Sequence, residues 1–410
     1  MDVVHPRCCG LDVHKKTVVA CVLTPGASSR PVQQVRTFGT MTDQLLGLAD
    51  WLAAQAVTHV AMEATGAYWK PLWNLLEDQF ELLLVNARHV KAVPGRKTDV
   101  NDAAWLAQLL RHGLLRPSFV PDRAQRELRE LTRYRTTLVQ ARAAEATRLQ
   151  KVLEGANLKL GDVASNVLGV SARQMLERLV AGDTDPTALA ELARGRLRAK
   201  IPQLVRALTG RIAAHQRFLL AQQLTHLDYL DQAIERVSGE IAERVGPVQA
   251  AIAHLDTIPG VGRRTAEILV AEIGTDMARF PSAGHLASWA GMCPGNDESA
   301  GKRRSGKTRP GSPWLRQALV EAAQAAGRTK GTYLAAQYRR LATRRGKKKA
   351  VVAVGHTILV IAYHLLARGR DYEDLGEAYF DQHDRAAVQR RLVRRLEALG
   401  YAVQLEPHAA

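Results

Sequence analysis

Two carboxylates, Asp99 and Asp102, stand three residues apart in the stretch DVNDAAWLAQ, where apolar residues begin to recur at helical spacing. On a helix that spacing puts both on one face, so both can reach a single ion. The pair also suits a plain helix start, with Asp99 as N-cap and Asp102 in the first turn, where the helix dipole favours negative charge. Two further acids bear on the choice. Asp12 interrupts the apolar run CCGLDVH, and Glu63 closes the apolar run VAMEATG. Carboxylates gathered in one place repel each other, and a fold tolerates this when a divalent cation neutralises them. An all-oxygen set favours Mg²⁺ or Mn²⁺ over zinc. Two such ions about 4 Å apart can hold a scissile phosphate and stabilise both the attacking and the leaving oxygen. The four acids therefore read as a metal site, with helix capping as a compatible second role.

The elements that must position them follow from hydrophobic periodicity. RCCGLDVHKKTVVACVL reads as a β-hairpin, and PVQQVRTFGT as a third strand. TDQLLGLADWLAAQ reads as a helix capped by Thr42. THVAMEATG is a strand, YWKPLWNLLEDQ a helix, ELLLVNA a strand, and VPGRKTDVNDAAWLAQLLRHGLL a break followed by a helix. Three antiparallel strands followed by parallel crossovers predict a mixed α/β sheet with helices on its faces. In that order the first strand is central and the fourth lies beside it, so Asp12, Glu63 and the last helix meet at one sheet edge.

Beyond Asp122 the texture becomes long, charged and helical as far as Val245. Leu220, Leu224, Leu227, Leu230, Ile234, Val237, Ile241 and Val245 form a seam that suits either a coiled coil between chains or a bundle packing on itself. In LDTIPGVGRRTAEILVAEIG a Pro-Gly-Val-Gly turn precedes a helix, a helix-hairpin-helix-like signal. Its Gly260, Gly262 and Arg263 are candidates for phosphate contact, against a simple glycine turn between packed helices. AGKRRSGKTRPGSPWLR has no apolar periodicity. It is expected to be a flexible loop whose Lys302, Arg303, Arg304, Lys307 and Arg309 order on a phosphate backbone.

Bulk composition agrees with a polyanionic partner: 57 Lys and Arg against 40 Asp and Glu give a net charge of +17 over 410 residues. Cys8, Cys9, Cys21 and Cys293 lack zinc-type spacing and read as reduced thiols. The N-terminal residues carry no secretion pattern, which makes the cytoplasm the expected location. The apolar stretch AVVAVGHTILVIAYHLLA is broken by Gly355, His356 and His364, and reads as a buried helix rather than a membrane span.

GLDVHKKT, MEATGAYW, KTDVNDA, HQRFLLAQQL, IPGVG and ASWAGMCPGNDESAGKRRSGK together resemble the DEDD-type insertion-sequence transposases, bridge-RNA-guided DNA recombinases of mobile bacterial elements. The likeness runs over about residues 7 to 370. It implies an RNase H-like domain of the junction-resolvase (RuvC) type over 1–121, a coiled-coil region over 122–250 and a mainly helical transposase domain over 251–370, with a charged helical tail over 371–410. It further implies that Asp12, Glu63, Asp99 and Asp102 bind Mg²⁺ or Mn²⁺, and that Ser299 is a nucleophile giving a covalent phosphoserine bond to DNA. A structured guide RNA, donor and target DNA, and a homodimer or homotetramer whose composite sites form between subunits are the implied partners. Two positions depart from the family pattern. Ser299-Ala300-Gly301-Lys302 replaces Ser-Gly-Gly-Lys, which is harmless provided Ala300 needs no positive φ. Gly311-Ser312 replaces Gly-Asn, which bears on the loop's phosphate contacts. Ser305 and Ser312 are the alternative nucleophiles. The competing readings are a metal-dependent resolvase-like nuclease using water, and a non-catalytic nucleic-acid-binding scaffold. A phosphoserine ester conserves the energy of the broken bond, so the implied strand exchange needs no ATP.

Overall fold

A computed structural model describes residues 2–26, 30–64, 66–86, 90, 102–295, 297–383 and 385–405, with 297–299 and 303–304 described in their backbone alone. The chain divides into two compact units, Met1–Arg123 and Ala124–Ala410.

The first unit runs β1 (Cys8–Val13), β2 (Thr17–Thr24), β3 (Val32–Gly39), α1 (Thr42–Ala54), β4 (His59–Glu63), α2 (Trp69–Leu76), β5 (Glu81–Val85) and α3 (Asp102–Arg111). The sheet order is β3-β2-β1-β4-β5. The short His14–Lys16 turn makes β1 and β2 antiparallel, while crossovers through α1 and α2 make β1, β4 and β5 parallel. This is the mixed sheet expected from the sequence, with β1 at its centre. Leu11, Val18, Val22, Val60 and Met62 face α1 and α2, packing on Leu48, Leu52, Leu72 and Leu76. The opposite face is lined by small residues, Cys8, Cys21 and Ala61, and takes α3 through Ala103, Ala107 and Leu110. One detail differs from expectation. Thr42 is already inside α1, whose N-cap is Met41 with no side-chain bond, and Asp43 supplies the favourable first-turn charge.

In the second unit, α4 (Arg123–Gly155), α5 (Val170–Val180), α6 (Ile201–Leu208) and α7 (Ala214–Arg244) contain no strand among the described residues. The expected seam along α7 is filled from within the chain. Leu230, Ala233 and Ile234 pack on Leu138 of α4, and Leu220, Leu224 and Leu227 join Leu149 and Leu153. Arg142 clasps Asp231, and Arg244 reaches Glu127 at 2.8 Å, so α4 and α7 run antiparallel. Of the two readings of the seam, the pairing observed is the intrachain one.

There follow α8 (Gln249–Asp256), α9 (Arg263–Ile273), α10 (Ala283–Trp289), a two-stranded ribbon of β6 (Asp297–Ser299) and β7 (Lys302–Ser305), α11 (Pro313–Ala326), α12 (Tyr333–Arg345), α13 (Lys347–Arg368) and, in the tail, α14 (Arg385–Glu397). Among the described residues α13 is the one helix long and apolar enough to cross a membrane. Its Val351, Val354, Ile358, Leu359, Ala362 and Leu365 instead belong to the core of this unit, as its interrupted sequence implies.

All four cysteines are free, with Cys8, Cys9 and Cys21 buried. Burial pushes the Cys8 thiol up to about 12 against the pull of Arg111, and Cys21 up to about 11. Iodoacetamide at pH 8 should therefore label only Cys293 in the folded protein and all four after denaturation. Rapid labelling of Cys8 in the native state would contradict this packing.

Candidate active site

Asp12 and Glu63 lie at the ends of neighbouring parallel strands. The β1–β4 register pairs Gly10 with Ala61 and Leu11 with Met62, and one further step sets Asp12 beside Glu63. Side chains alternate along a strand, so both acids share the face of Gly10, which is the face covered by α3. Only glycine fits at position 10. A Cβ there would stand 2.2 Å from the Ala103 carbonyl oxygen and 2.5 Å from the Ala107 nitrogen, both backbone atoms. The direction of α3 is fixed at its other end, where Cys8 Sγ donates to the Ala107 oxygen and the N–H groups of Val4 and His5 donate to the Arg111 oxygen. Helix α3 is thus antiparallel to β1, and its N-terminal residue Asp102 comes to the edge that carries Asp12 and Glu63. Asp99 lies outside the described residues.

A hard cation suits this donor set, which is wholly carboxylate oxygen. Among the described residues, no three acidic, histidine or cysteine side chains already stand close enough to hold an ion. The three described acids thus share an edge without forming a closed cage. His14, just past β1, has no role in the sequence reading, yet its Nε2 lies 3.1 Å from Asp12 Oδ2. The available signal is spacing: residues two apart on a strand point the same way.

The basic stretch around Ser299 corrects the expectation of a structureless loop. β6 and β7 pair antiparallel, Ser299 opposite Lys302, around an Ala300-Gly301 turn. Gly295 N–H donates to the Lys307 oxygen, and Arg316 donates to Thr308 Oγ1 at 2.7 Å, pinning the stem to α11. Alternation of strand pairing, rather than apolar burial, orders the segment, which is why hydrophobic periodicity missed it. Lys302, Lys307 and Arg309 are exposed; the side chains of Ser299, Arg303 and Arg304 lie outside the described atoms. Ala300 has φ +51° and Gly301 φ +72°. That is the primed turn favoured by right-twisted hairpins, and it needs positive φ at both central residues. The replacement of Gly by Ala at 300 therefore carries strain of about 1–2 kcal/mol. Ala300→Gly should slow amide exchange across residues 297–305 about fivefold, and unchanged exchange would exclude the strained turn.

Ser312 is a structural residue. Its Oγ accepts from the Leu315 N–H, capping α11, and donates to Glu272 Oε2 at 3.0 Å. A serine does the capping that asparagine would do in the family pattern. Ser305 Oγ accepts from the Lys307 N–H. In the Pro-Gly-Val-Gly turn, Gly260 has φ +86° and lies against α11, where a Cβ would meet the Ala322 oxygen at 2.4 Å. It is the glycine of a tight packed turn. Gly262 and Arg263 are exposed at the start of α9, with Arg263 donating to Glu267 and Gln249.

The comparisons with known proteins fall on both units. The DEDD-type transposase model of IS110 matches residues 9–158, and the model described as Transposase IS116/IS110/IS902 family matches residues 252–339. The chain belongs to the IS110 family of transposases. Among the relatives is a protein of insertion element IS110 from Streptomyces coelicolor, 28% identical over 302 residues, or 68% of this chain and 73% of that protein. A probable family 20 transposase of Pseudomonas aeruginosa is 26% identical over 76% of this chain and 85% of its own. A pilin gene-inverting protein of Moraxella lacunata is 24% identical over 89% of this chain and 97% of its own. The strand order and edge acids of the first unit are compatible with the RNase H-like architecture of an IS110-family DEDD domain. DNA is the partner on which a transposase acts.

Proposed function

We propose that this IS110-family transposase cuts and exchanges DNA strands through a covalent phosphoserine intermediate. The convergence of Asp12, Glu63 and the Asp102 end of α3 on one sheet edge carries the reading. These acids, with Asp99, would hold Mg²⁺ or Mn²⁺. When bound, such a cation supplies electrostatic stabilisation to a phosphate undergoing displacement. Ser299 Oγ attacks the phosphorus; an O–P bond forms to serine, the phosphodiester P–O bond breaks, and the proton leaves with the released deoxyribose oxygen. A hydroxyl on another DNA end then attacks the same phosphorus and returns the serine. The bond count is unchanged throughout, so no ATP is consumed.

The exposed Lys302, Lys307 and Arg309 of the ribbon region and the +17 charge support contact with a phosphate backbone. The gene-inverting activity for which the Moraxella relatives are named is in keeping with conservative strand exchange. Selection of the DNA site falls to a structured guide RNA paired with donor and target, and the working particle is a homodimer or homotetramer.

Ser299→Ala should abolish both recombination and the protein–DNA adduct trapped by denaturant, while binding DNA normally. Cutting that persists without an adduct would favour the water-using nuclease. Sequencing the RNA that co-purifies with the protein tests the guide: one structured species encoded beside the gene is expected, and a random sample of cellular RNA would overturn that part.

A further inference from the structure

In the second unit the chain between α4 and α7 folds around a crevice of about 590 Å³. Arg194, Arg196 and Lys200 line it, and none of its lining residues is a carboxylate. Two basic side chains of α5 are neutralised, Arg173 by Glu177 and Asp228, and Arg178 by Asp183. Among the described residues Arg194 and Arg196 enter no ion pair, and Lys200 spends one N–H on the Val163 oxygen at 3.2 Å. Three cations thus face a concavity with nothing of opposite sign in its wall.

The neutral groups in the wall are donors as well. Helix α5 opens into the crevice behind Gly169, which has no side chain to cap it, so its first-turn N–H groups add to the positive field. The Ser171 hydroxyl accepts from the Arg194 backbone N–H at 2.9 Å, which ties the arginine segment to the helix start. Asn166 uses its oxygen on the Leu168 N–H, leaving its amide hydrogens as donors. Val163, Ala164 and Leu197 supply an apolar wall.

The geometry points to a binding site for one unpaired nucleotide of a single strand, apart from the acids and from Ser299. Its phosphate is held by Arg194, Arg196 and Lys200, and its base lies on the apolar wall. The concavity argues for a single strand. Duplex phosphates sit on a stiff convex cylinder and cannot enter a crevice, whereas an unpaired nucleotide can swing into one. The volume accommodates one nucleotide and excludes a base pair with its two backbones.

The test uses the full-length protein and fluorescence anisotropy with labelled single-stranded RNA, single-stranded DNA of the same sequence, and the corresponding DNA duplex. The triple variant Arg194→Gln/Arg196→Gln/Lys200→Gln should weaken single-strand binding about tenfold, lower its salt slope by about 0.7 for each phosphate no longer neutralised, and leave duplex binding within about twofold. Ser165→Trp, which plugs the crevice without removing charge, should reproduce the single-strand loss. A matched triple on α14, Arg390→Gln/Arg391→Gln/Arg394→Gln, controls for net charge. Equal losses on RNA and DNA identify a site reading phosphate and base, and a loss confined to RNA identifies one that also reads the ribose hydroxyl. Equal weakening of duplex and single strand, or equal effects of the two triples, would overturn the proposal, as would a Ser165→Trp variant that binds normally.

Discussion

Glu272→Ala lowers the stability of the second unit by about 3–5 kcal/mol, read as a shift in the guanidinium midpoint at constant slope. Glu272 is 1% exposed, in the last turn of α9. Arg133 of α4 donates twice to its carboxylate, at 2.7 and 2.9 Å, and Ser312 donates a third bond from the start of α11. Arg129 reaches past it to the Glu272 backbone oxygen at 2.6 Å. One side chain therefore joins three helices, and its removal strands a guanidinium that α9 and α11 partly cover. It also strips the α11 cap of its anchor, close to the ribbon that carries Ser299. Exposed ion pairs contribute about 1 kcal/mol or less, so a loss that small would mean solvent reaches this site freely. A double variant, Arg133→Met/Glu272→Leu, should recover most of the loss, because well-packed apolar groups need no charge partner.

The first unit was legible because its signals are local and redundant. Apolar, β-rich runs mark β1 and β2, a polar turn separates them, and two helix-length crossovers force the parallel strands; the sheet order then follows from chain connectivity. That order makes β1 and β4 neighbours, and their register sets Asp12 beside Glu63. The element order already brings the last helix to that edge; how closely α3 approaches is set by Gly10, whose missing Cβ leaves the space the helix backbone fills. The ribbon of 297–305 was illegible for the opposite reason. Its strands, Asp-Glu-Ser and Lys-Arg-Arg-Ser, contain no apolar residue, so the period-two signal is missing from the sequence, and backbone pairing and the Arg316–Thr308 bond order the segment. The α7 seam was legible as a seam but not as to partner, since spacing specifies an apolar stripe without saying which helix covers it. Nothing in the sequence marks Glu272 as a buried charge, because its arginine partners Arg129 and Arg133 lie more than 100 residues away.

Asp12→Asn should slow strand cleavage about a thousandfold, the loss expected when several kcal/mol of transition-state charge stabilisation are removed. It should do so without unfolding the protein. Asp12 sits at an open strand end, 25% exposed, and its described partner His14 is itself 59% exposed, so little structure depends on the carboxylate. Replacing one of several converging acids also removes mutual repulsion, so without divalent ions the variant should melt no lower than the parent. Adding Mg²⁺ reverses the order: it should raise the melting temperature of the parent, whose folded state binds the ion, and leave that of the variant nearly unmoved. Gly10→Val separates the acids from their placement. It keeps every carboxylate but drives α3 off β1, carrying Asp102 away from the edge, and should lose both the Mg²⁺ shift and cleavage. A Gly10→Val protein that still gains stability from Mg²⁺ would show that the contact of α3 with β1 does not set the cation site.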